Sequence, residues 1–433
     1  MQIGFHITDI TPPLGVEMAG HFARRQASEV HDPLTAHAMV LSDDSTRVAL
    51  VGTDLVGMPD GVAKKAREHI EELTGISPEN VMIWGTHTHA GPVVSGLGLF
   101  REGDEGYTAL LPKLLAGAVA SASESTEETS TRIGIGTETH ISFNRRYRMV
   151  DGSVQTNPGV GNPAVKASDG PIDPDVGVLY LQRDDRVCGA LVNFANHLDV
   201  LGSGNTWYSA DFPYSMRRTL SDAYGDGFFG LFGNGACGNI NHINVFGRRR
   251  QGGYDHARRM GRILAGDVLK AEFEATEVNL SPLWTESAMV ELPLREFSDE
   301  QIAEFRRILN ETEDLEGQIS SGNFERGRAK RSLALVESGV TSEDVEVQVM
   351  GMGPLVLVAI PGEYFVEFGL QIKRRSPADF TFLIELANGY KGYIPTEAAF
   401  RAGAYEGSSA RYAPEAGQML ADTAINIVES RAG

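Results

Sequence analysis

The chain of 433 residues has the composition of a globular protein with a sizeable core, because 42% of its residues are hydrophobic and 22% are charged. Its formal net charge of −20 argues against partners that present phosphate groups, such as nucleic acids or anionic lipid surfaces. The two cysteines, Cys188 and Cys237, are too few for a disulfide scaffold and are expected to be buried thiols.

The N-terminal segment and the hydropathy pattern predict a protein that does not insert into a membrane. The opening stretch, MQIGFHITDITPP, has neither a basic region nor an apolar region of the kind found in signal peptides. No apolar run approaches the roughly 20 residues that a membrane span requires. We therefore expect a cytoplasmic protein whose partner is a small molecule, and the sequence leaves a homo-oligomer open.

Apolar runs alternate with helical patterns along the chain. The runs predict buried strands at 47–56, 81–87, 188–197, 228–234, 354–363 and 380–388. Helical spacing predicts helices at 60–75, 105–125 and 254–275. This alternation predicts an α/β fold in which a layered mixed β-sheet is flanked by helices. No Pro- or Ser-rich linker interrupts the chain, so we expect one domain over 1–433 with a charged helical excursion, interpreted as a solvated helical pair, at about 297–339.

Polar residues follow almost every predicted strand. In chain order they are Asp54, His87, His89, His197, Glu363, Tyr390 and Tyr393. Ligands of α/β proteins bind outside the carboxyl ends of strands, so we expect these side chains to share one site. Each also has a structural interpretation: a histidine can be hydrogen-bonded, Glu363 can cap a helix, and Tyr393 can be a core tyrosine.

The residue types at the strand ends indicate a metal site. Two imidazoles and one carboxylate suit Zn²⁺ and leave a coordination position for water or substrate. Zn²⁺ would lower the pKa of a bound water to roughly 7 and polarise a carbonyl group, which is hydrolase chemistry. The spacing of His87 and His89 is by itself a weak signal, so the prediction depends on partners elsewhere in the chain.

At these residues the sequence resembles the neutral, non-lysosomal ceramidase family, specifically its amino-terminal catalytic domain. The most specific blocks are THTHAGP and the combination of PGE with NGYxGY. The resemblance extends over the blocks DITPP (9–13), MAGHFARR (18–25), DPLTAHAMVL (32–41), GTHTHAGP (85–92), FNRRY (143–147), NFANH (193–197), GNGACGNINHIN (233–244), IPGE (360–363), ANGYKGYIPT (387–396) and AYEG (404–407). It implies a ceramidase-like α/β catalytic domain built around one zinc ion.

The resemblance also implies roles for individual residues. The zinc ligands would be His87, His197, Glu363 and Tyr393. Catalytic roles would fall to His89 beside the reacting group, to Arg145 on a substrate oxygen, to Tyr405 as a hydrogen-bonding tyrosine, and to Asn241 as a hydrogen-bond donor where the family has a serine in a GxxSPN block. Asp211 would orient a ligand imidazole from behind, and Asp54, at the end of its own predicted strand, is a separate candidate for such support.

These residues lead us to expect a zinc-dependent hydrolase that cleaves an amide (N-acyl) bond with metal-activated water. Because Asn241 replaces the serine and the family's carboxy-terminal immunoglobulin-like domain is not found, we expect a small soluble substrate rather than a sphingolipid. Three alternatives remain open: a zinc-dependent ester or lactone hydrolase, a zinc-assisted lyase or sugar-active enzyme, and a non-catalytic binding protein on the same scaffold.

Overall fold

The computed structural model describes residues 1–22, 24–96, 103–248, 251–311 and 321–431. The strands in these ranges are β1 (Gln2–Asp9), β2 (Glu29–Val30), β3 (Thr35–Ser42), β4 (Arg47–Thr53), β5 (Val81–Gly85), β6 (Glu127–Glu128), β7 (Ser130–Thr137), β8 (Phe143–Asn144), β9 (Arg146–Met149), β10 (Val154–Thr156), β11 (Val165–Ser168), β12 (Asp175–Arg183), β13 (Arg186–Phe194), β14 (Trp207–Tyr208), β15 (Phe229–Asn234), β16 (Ile240–Asn241), β17 (Thr276–Val278), β18 (Leu283–Pro293), β19 (Ser342–Met352), β20 (Leu355–Ile360), β21 (Glu363–Tyr364), β22 (Phe380–Glu385) and β23 (Tyr393–Ile394). The helices are α1 (Asp60–Thr74), α2 (Glu105–Glu124), α3 (Phe212–Tyr224), α4 (Tyr254–Phe273), α5 (Asp299–Glu311), α6 (Ser321–Ser338), α7 (Val366–Arg375), α8 (Glu397–Ala402), α9 (Ala404–Ser409) and α10 (Ala416–Arg431), with a short 3-10 helix at Pro78–Asn80.

The three large sheets repeat one topology. Their strand orders are β5-β4-β3-β1-β6, β15-β13-β12-β7-β17 and β18-β19-β20-β22. In each sheet an antiparallel pair is followed by a helix and then by an edge strand parallel to the second strand of the pair. The repeated units are β3-β4-α1-β5, β12-β13-α3-β15 and β19-β20-α7-β22. In each unit, the carboxyl ends of two parallel strands therefore lie side by side at the same end of the sheet.

Hydrogen bonds join the three units in a cycle. Trp84 Nε1 donates to the carbonyl of Phe232, at 2.8 Å, and connects the first unit to the second. Asn193 Nδ2 donates to the carbonyl of Leu383, at 2.7 Å, and connects the second unit to the third. The cycle closes where the amide of Ile83 donates to Asn388 Oδ1, at 3.0 Å. The loops that follow the parallel strands are thereby brought toward one another.

Apolar faces explain why the units pack together. One core cluster draws Leu50, Leu231 and Leu357, among others, from all three sheets and lies between them. On the outer faces, α1 and α2 cover the first sheet, α3 and α4 the second, and α7 and α10 the third. Helix α1 shows the local pattern, since Val62, Ala66 and Ile70 are buried at helical spacing.

The predicted α/β class with a mixed sheet and flanking helices is confirmed, and each predicted strand and helix named above overlaps an observed one. The sequence did not indicate how the strands divide among three sheets. The charged segment at 297–339 contains α5 and α6, while residues 312–320 lie outside the described residues. The prediction of a single domain stays a prediction. Over the described ranges, no helix combines the length and apolar character that crossing a membrane would need.

Candidate metal centre

Three imidazoles and one carboxylate meet where the three units converge. His87 and His89 follow β5, His197 follows β13, and Glu363 follows β20. The Nε2 atom of His87 lies 3.0 Å from His197 Nε2 and 3.3 Å from His89 Nε2. Glu363 Oε2 lies 3.5 Å from His87 Nε2 and 3.9 Å from His197 Nε2. The three histidines are arranged so that they could hold a metal ion.

The backbone and its neighbours fix the direction of each ring. His87 has a φ of 79° and donates from Nδ1 to the carbonyl of Val56 at 2.6 Å, which leaves Nε2 free to face the cluster. His89 packs directly on Gly20, where an added Cβ would lie 2.4 Å from His89 Cγ. A glycine is therefore required at position 20 for the His89 ring to occupy this place.

Electrostatics favour neutral imidazoles at His89 and His197 and a charged carboxylate at Glu363. Burial lowers the pKa values of His89 and His197 well below the ordinary value, and the charge of His87 lowers them further. Burial has the same effect on His87, but the Glu363 carboxylate outweighs it and raises the His87 pKa. Burial disfavours the Glu363 carboxylate, yet His87 stabilises it enough to lower its pKa. Glu363 and His87 therefore stabilise each other as an ion pair, and a metal ion bound here would take the place of the proton on His87.

The donor set fits a metal ion. Glu363 Oε2 is buried and has no hydrogen-bond partner among the described residues, although an unpaired buried carboxylate oxygen is costly. The facing Nε2 atoms of the three histidines are metal ligands when neutral. A cation would satisfy these atoms together. One buried carboxylate with imidazole nitrogens is a set that suits Zn²⁺.

Two tyrosines approach Glu363. Strands β21 and β23 pair in parallel and place Tyr393 next to Glu363, and the Tyr393 hydroxyl helps to lower the Glu363 pKa. Tyr390 donates its hydroxyl proton to Glu363 Oε1 at 2.7 Å. Burial raises the Tyr393 pKa well above its ordinary value, so this side chain is a phenol unless a cation binds it.

Arg145 is buried behind this cluster. Its Nε donates to Glu406 Oε1 and its Nη2 to the carbonyl of Gly238, both at 2.8 Å. Its Nη1 lies 3.4 Å from His197 Nε2, and its guanidinium carbon lies 5.3 Å from the ring centroid of Tyr393. Arg145 therefore approaches the candidate metal ligands with one nitrogen while Glu406 and the backbone hold the other two.

The structure does not bring the remaining predicted residues to the same point. Asn241 is buried with its Nδ2 bonded to Asn157 and its Oδ1 accepting from the amide of Ile243, and it is not among the described residues that line the cavity. Asp211 caps α3 and accepts from the backbone amides of Phe212 and Val200.

The Asp54 carboxylate accepts hydrogen bonds from both Nη atoms of Arg217, at 2.9 and 3.0 Å, and from the hydroxyl of Thr35. Its contact with the histidine loop is a 3.5 Å separation from the hydroxyl of Thr86, the residue before His87. Asp54 therefore anchors the start of this loop rather than an imidazole.

A cavity of about 470 Å³ opens beside the histidines. His87, His89 and Glu363 line it together with Tyr390, Tyr393 and Tyr405. Helix α6 forms part of its wall, as does the N-terminal segment from Met18 to Phe22. The helical excursion is thus not only a solvated pair, because one face of α6 contacts the space in which a substrate would lie.

The fold agrees with comparisons to known proteins. Residues 1–214 match the family model "Neutral/alkaline non-lysosomal ceramidase, N-terminal". The predicted family resemblance is confirmed. The neutral ceramidase of Pseudomonas aeruginosa is 23% identical in an alignment that covers 99% of this ceramidase-like chain and 72% of the relative. The neutral ceramidase of Mycobacterium tuberculosis is 26% identical over 52% of this chain and 37% of the relative.

Solved structures show the same ceramidase-like fold. The crystal structure of neutral ceramidase from Pseudomonas aeruginosa has a TM-score of 0.77 at 21% identity, covering 99% of this chain and 74% of that one. A structure described as "Ceramidase complexed with C2" has a TM-score of 0.75 at 19% identity, with coverage of 99% and 75%.

Three features of the candidate site were not predicted from the sequence. Glu406 is fully buried and binds both Arg145 and Arg146, although the AYEG block drew attention only to Tyr405. Tyr390, not assigned a role beside Tyr393, donates to Glu363. Cys237 lies 3.6 Å from His197 Nδ1, and a strand-end carboxylate, Glu385, binds its thiol.

Proposed function

We propose that this protein is a zinc-dependent hydrolase that cleaves an amide (N-acyl) bond of a small substrate. The observation that carries the proposal is the buried meeting of three imidazole Nε2 atoms with an unpaired Glu363 oxygen at the wall of a cavity. The matched relatives are named neutral ceramidases, and ceramidases hydrolyse an N-acyl amide. Site and relatives thus favour one reaction class.

His87, His197 and Glu363 would hold the ion, and Tyr393 would supply a further ligand. Bound Zn²⁺ supplies Lewis acidity, which lowers the pKa of a water molecule and polarises a carbonyl group. In the overall reaction the C–N bond breaks, a C–O bond forms with the oxygen of water, and the amine leaves with a proton. Buried ligands keep bulk water away from this chemistry.

The residues of the chain that face the cavity can assist the reaction. His89 is neutral because burial lowers its pKa, so its ring can accept a proton from water and return it to the amine. Burial raises the pKa of Tyr405 to about 12, so its hydroxyl stays protonated and can donate to a substrate oxygen. Burial opposes the charge of Arg145, but the carboxylates of Glu406 and Glu363 help to keep its pKa well above the ordinary value, so it stays charged and maintains a positive field behind His197.

Removal of one ligand at a time tests the proposal. Wild-type protein is expected to contain stoichiometric zinc and to lose turnover with a chelator and regain it with added Zn²⁺. His87→Ala is expected to lose both zinc and turnover, whereas His89→Ala keeps zinc and loses turnover if His89 acts on the reacting group. Elemental analysis measures the zinc content of each variant. Mass spectrometry of the products from a panel of amides and esters measures turnover and identifies the bond that is cleaved.

Two outcomes would overturn the proposal. Full activity and stoichiometric zinc in His87→Ala would exclude the ligand set. Release of an alcohol from esters or lactones, with no amine from any amide, would keep the metal site but exclude amide cleavage. Glu72→Gln is a suitable control, since Glu72 is exposed on α1 and does not line the cavity.

A further inference from the structure

We propose that Tyr390 restricts Glu363 to a single metal-binding oxygen and thereby keeps a coordination position open for the substrate. Tyr390 acts through Glu363, so it is a positioning residue rather than a catalytic one. The inference rests on the proposed zinc hydrolase, and it assigns a role to a tyrosine that the sequence did not single out beside Tyr393.

The two carboxylate oxygens of Glu363 have different surroundings. Oε1 accepts a hydrogen bond from the hydroxyl of Tyr390 at 2.7 Å, since a tyrosine hydroxyl is protonated at neutral pH. Oε2 is buried and has no hydrogen-bond partner among the described residues. It lies 3.5 Å from His87 Nε2 and 3.9 Å from His197 Nε2. Oε2 is therefore the oxygen that the carboxylate presents to the proposed ion.

This difference matters because a carboxylate can bind a metal ion through one oxygen or through both. A second oxygen from Glu363 would occupy the position that a catalytic zinc site keeps for water or substrate. The hydrogen bond from Tyr390 engages Oε1 and makes that second bond less favourable. Without the hydroxyl, Oε1 would be a buried polar atom that lacks a partner, a state that is costly unless the ion binds it.

Backbone hydrogen bonds hold the segment that carries Tyr390. On one side, the amide of Asn388 donates to the carbonyl of Ile83 at 2.7 Å, and Asn388 Oδ1 accepts from the amide of Ile83 at 3.0 Å. On the other side, the amide of Lys391 donates to the carbonyl of Pro361 at 2.7 Å. Tyr390 is thereby attached to the first unit through β5 and to the third unit through the end of β20.

Side-chain contacts hold the same segment. The Tyr390 ring is partly buried against the core cluster that covers the first sheet. The next residue, Lys391, binds Asp60 at the start of α1 and Glu343 of β19, at 2.7 and 2.6 Å. The direction of the Tyr390 hydroxyl is thus fixed by contacts that join the first and third units, which meet at the candidate metal centre.

Tyr393 has a different place in the proposed site. It is the proposed further ligand, and the pairing of β21 with β23 places it next to Glu363. The hydrogen bond to Oε1 comes instead from Tyr390, three residues earlier. The two tyrosines of the NGYxGY block would therefore have separate tasks, because one supplies an oxygen to the ion and the other limits how Glu363 binds it.

Crystal structures of the zinc-loaded protein test this assignment directly. In wild type we expect Oε2 alone within about 2.0–2.2 Å of zinc, the usual distance for a carboxylate ligand. In Tyr390→Phe we expect both oxygens of Glu363 to approach the ion. Tyr224→Phe is a matched control, because the Tyr224 hydroxyl donates to Glu272 Oε2, also at 2.7 Å, and does not line the cavity.

Binding of acetohydroxamate provides a second readout. This probe chelates zinc through two oxygens and therefore needs open coordination positions. We expect Tyr390→Phe to keep stoichiometric zinc but to bind acetohydroxamate roughly 10- to 100-fold more weakly, the range typical of losing a partner behind a metal ligand. Tyr224→Phe should match wild type in both measurements, with circular dichroism as the folding control.

The outcomes separate this inference from the proposed function. If zinc-loaded wild type cleaves no amide but acetohydroxamate binding still depends on Tyr390, amide cleavage fails and the positioning role stands. Ligation by both Glu363 oxygens in wild type, or unchanged acetohydroxamate binding in Tyr390→Phe, overturns the inference alone. Loss of zinc from Tyr390→Phe also overturns it, because the hydroxyl would then hold Glu363 for binding rather than restrict it. A wild type that binds no zinc overturns both.

Discussion

His197 is held on both sides of its imidazole ring. Nε2 faces His87 and Glu363, and Nδ1 lies 3.6 Å from Cys237 Sγ. The thiol of Cys237 donates to Glu385 Oε1 at 2.7 Å, and burial raises the Cys237 pKa well above its ordinary value, so the thiol stays protonated. Partners behind a ligand imidazole fix its orientation and its metal affinity.

This arrangement predicts that Cys237 affects metal binding without lining the cavity. Cys237→Ala should weaken zinc affinity roughly 10- to 100-fold, the usual consequence of losing a partner behind a ligand. Cys237→Ser keeps a hydroxyl that can bond to both neighbours and should weaken it less. Competition with a chromophoric chelator measures the affinity, and Cys188→Ala is the control at the other cysteine. Unchanged affinity in Cys237→Ala would show that His197 is oriented by other contacts.

The buried carboxyl of Asp211 makes the stability of the fold depend on pH. Burial raises its pKa from 3.8 to about 7, so the folded protein holds a proton on this carboxyl at pH values where the unfolded chain has released it. The group therefore stabilises the fold below about pH 4 relative to higher pH, and stability declines as pH rises toward 7. Asp211→Asn keeps a capping oxygen for Phe212 and removes the titration.

We expect the thermal midpoint of Asp211→Asn to depend less steeply on pH between 4 and 7 than that of the wild type. The exposed Asp222→Asn on the same helix controls for net charge. Thermal unfolding followed by circular dichroism at several pH values is the measurement. Parallel pH profiles for wild type and Asp211→Asn would contradict the shifted pKa.

At the scale of secondary-structure elements, the sequence predicts which site residues follow the strands. It does not predict which helix lines the cavity. His87, His197 and Glu363 follow apolar runs, and runs of this kind are recognisable because their ends are marked by polar residues. Helix α6 carries many charged residues and shows little separation of polar and apolar faces, so its pattern does not distinguish a face toward solvent from a face toward a cavity. The ion pairs of Glu406 were not predicted for a related reason, since its partners Arg145 and Arg146 are distant in sequence.

Glu406 attaches the short helix α9 to the strands behind the candidate metal site. Its two carboxylate oxygens accept hydrogen bonds from Arg145, at 2.8 Å, and from Arg146, at 2.9 Å. The hydroxyl of Thr156 donates a third hydrogen bond to it, at 2.7 Å. Replacing Glu406 by glutamine leaves the buried guanidinium of Arg145 without a carboxylate bonded to it and that of Arg146 with Asp169 alone, at 3.3 Å. Glu406→Gln should lower the free energy of unfolding by about 3–5 kcal/mol.

Urea unfolding measures this loss. Glu397→Gln provides the control, because Glu397 on the neighbouring helix α8 forms an exposed pair with Arg401 that should contribute little. A loss no larger in Glu406→Gln than in the control would mean that the two arginines are satisfied without the carboxylate.

At the scale of the whole molecule, three similar units share one interior. Leu50, Leu231 and Leu357 come from the three sheets and are buried in the same cluster. The sequence shows no repeat corresponding to this arrangement, because a β-β-α-β topology constrains only the apolar pattern of its strands and leaves residue identities free. The candidate metal centre depends on the shared interior, since each unit supplies at least one of its proposed ligands.

A shared interior predicts cooperative unfolding of all three units. Leu357→Ala removes a buried side chain from the common cluster and should cost about 2–5 kcal/mol. The loss should appear as faster hydrogen exchange in β4, β13 and β20 alike, because these strands open together when unfolding is global. Leu333→Ala lies in a separate cluster with Phe305 and Ala329 between α5 and α6, so its effect should stay within those helices. If Leu357→Ala accelerates exchange in β20 and leaves β4 and β13 protected, the units unfold independently and the prediction of a single domain is wrong.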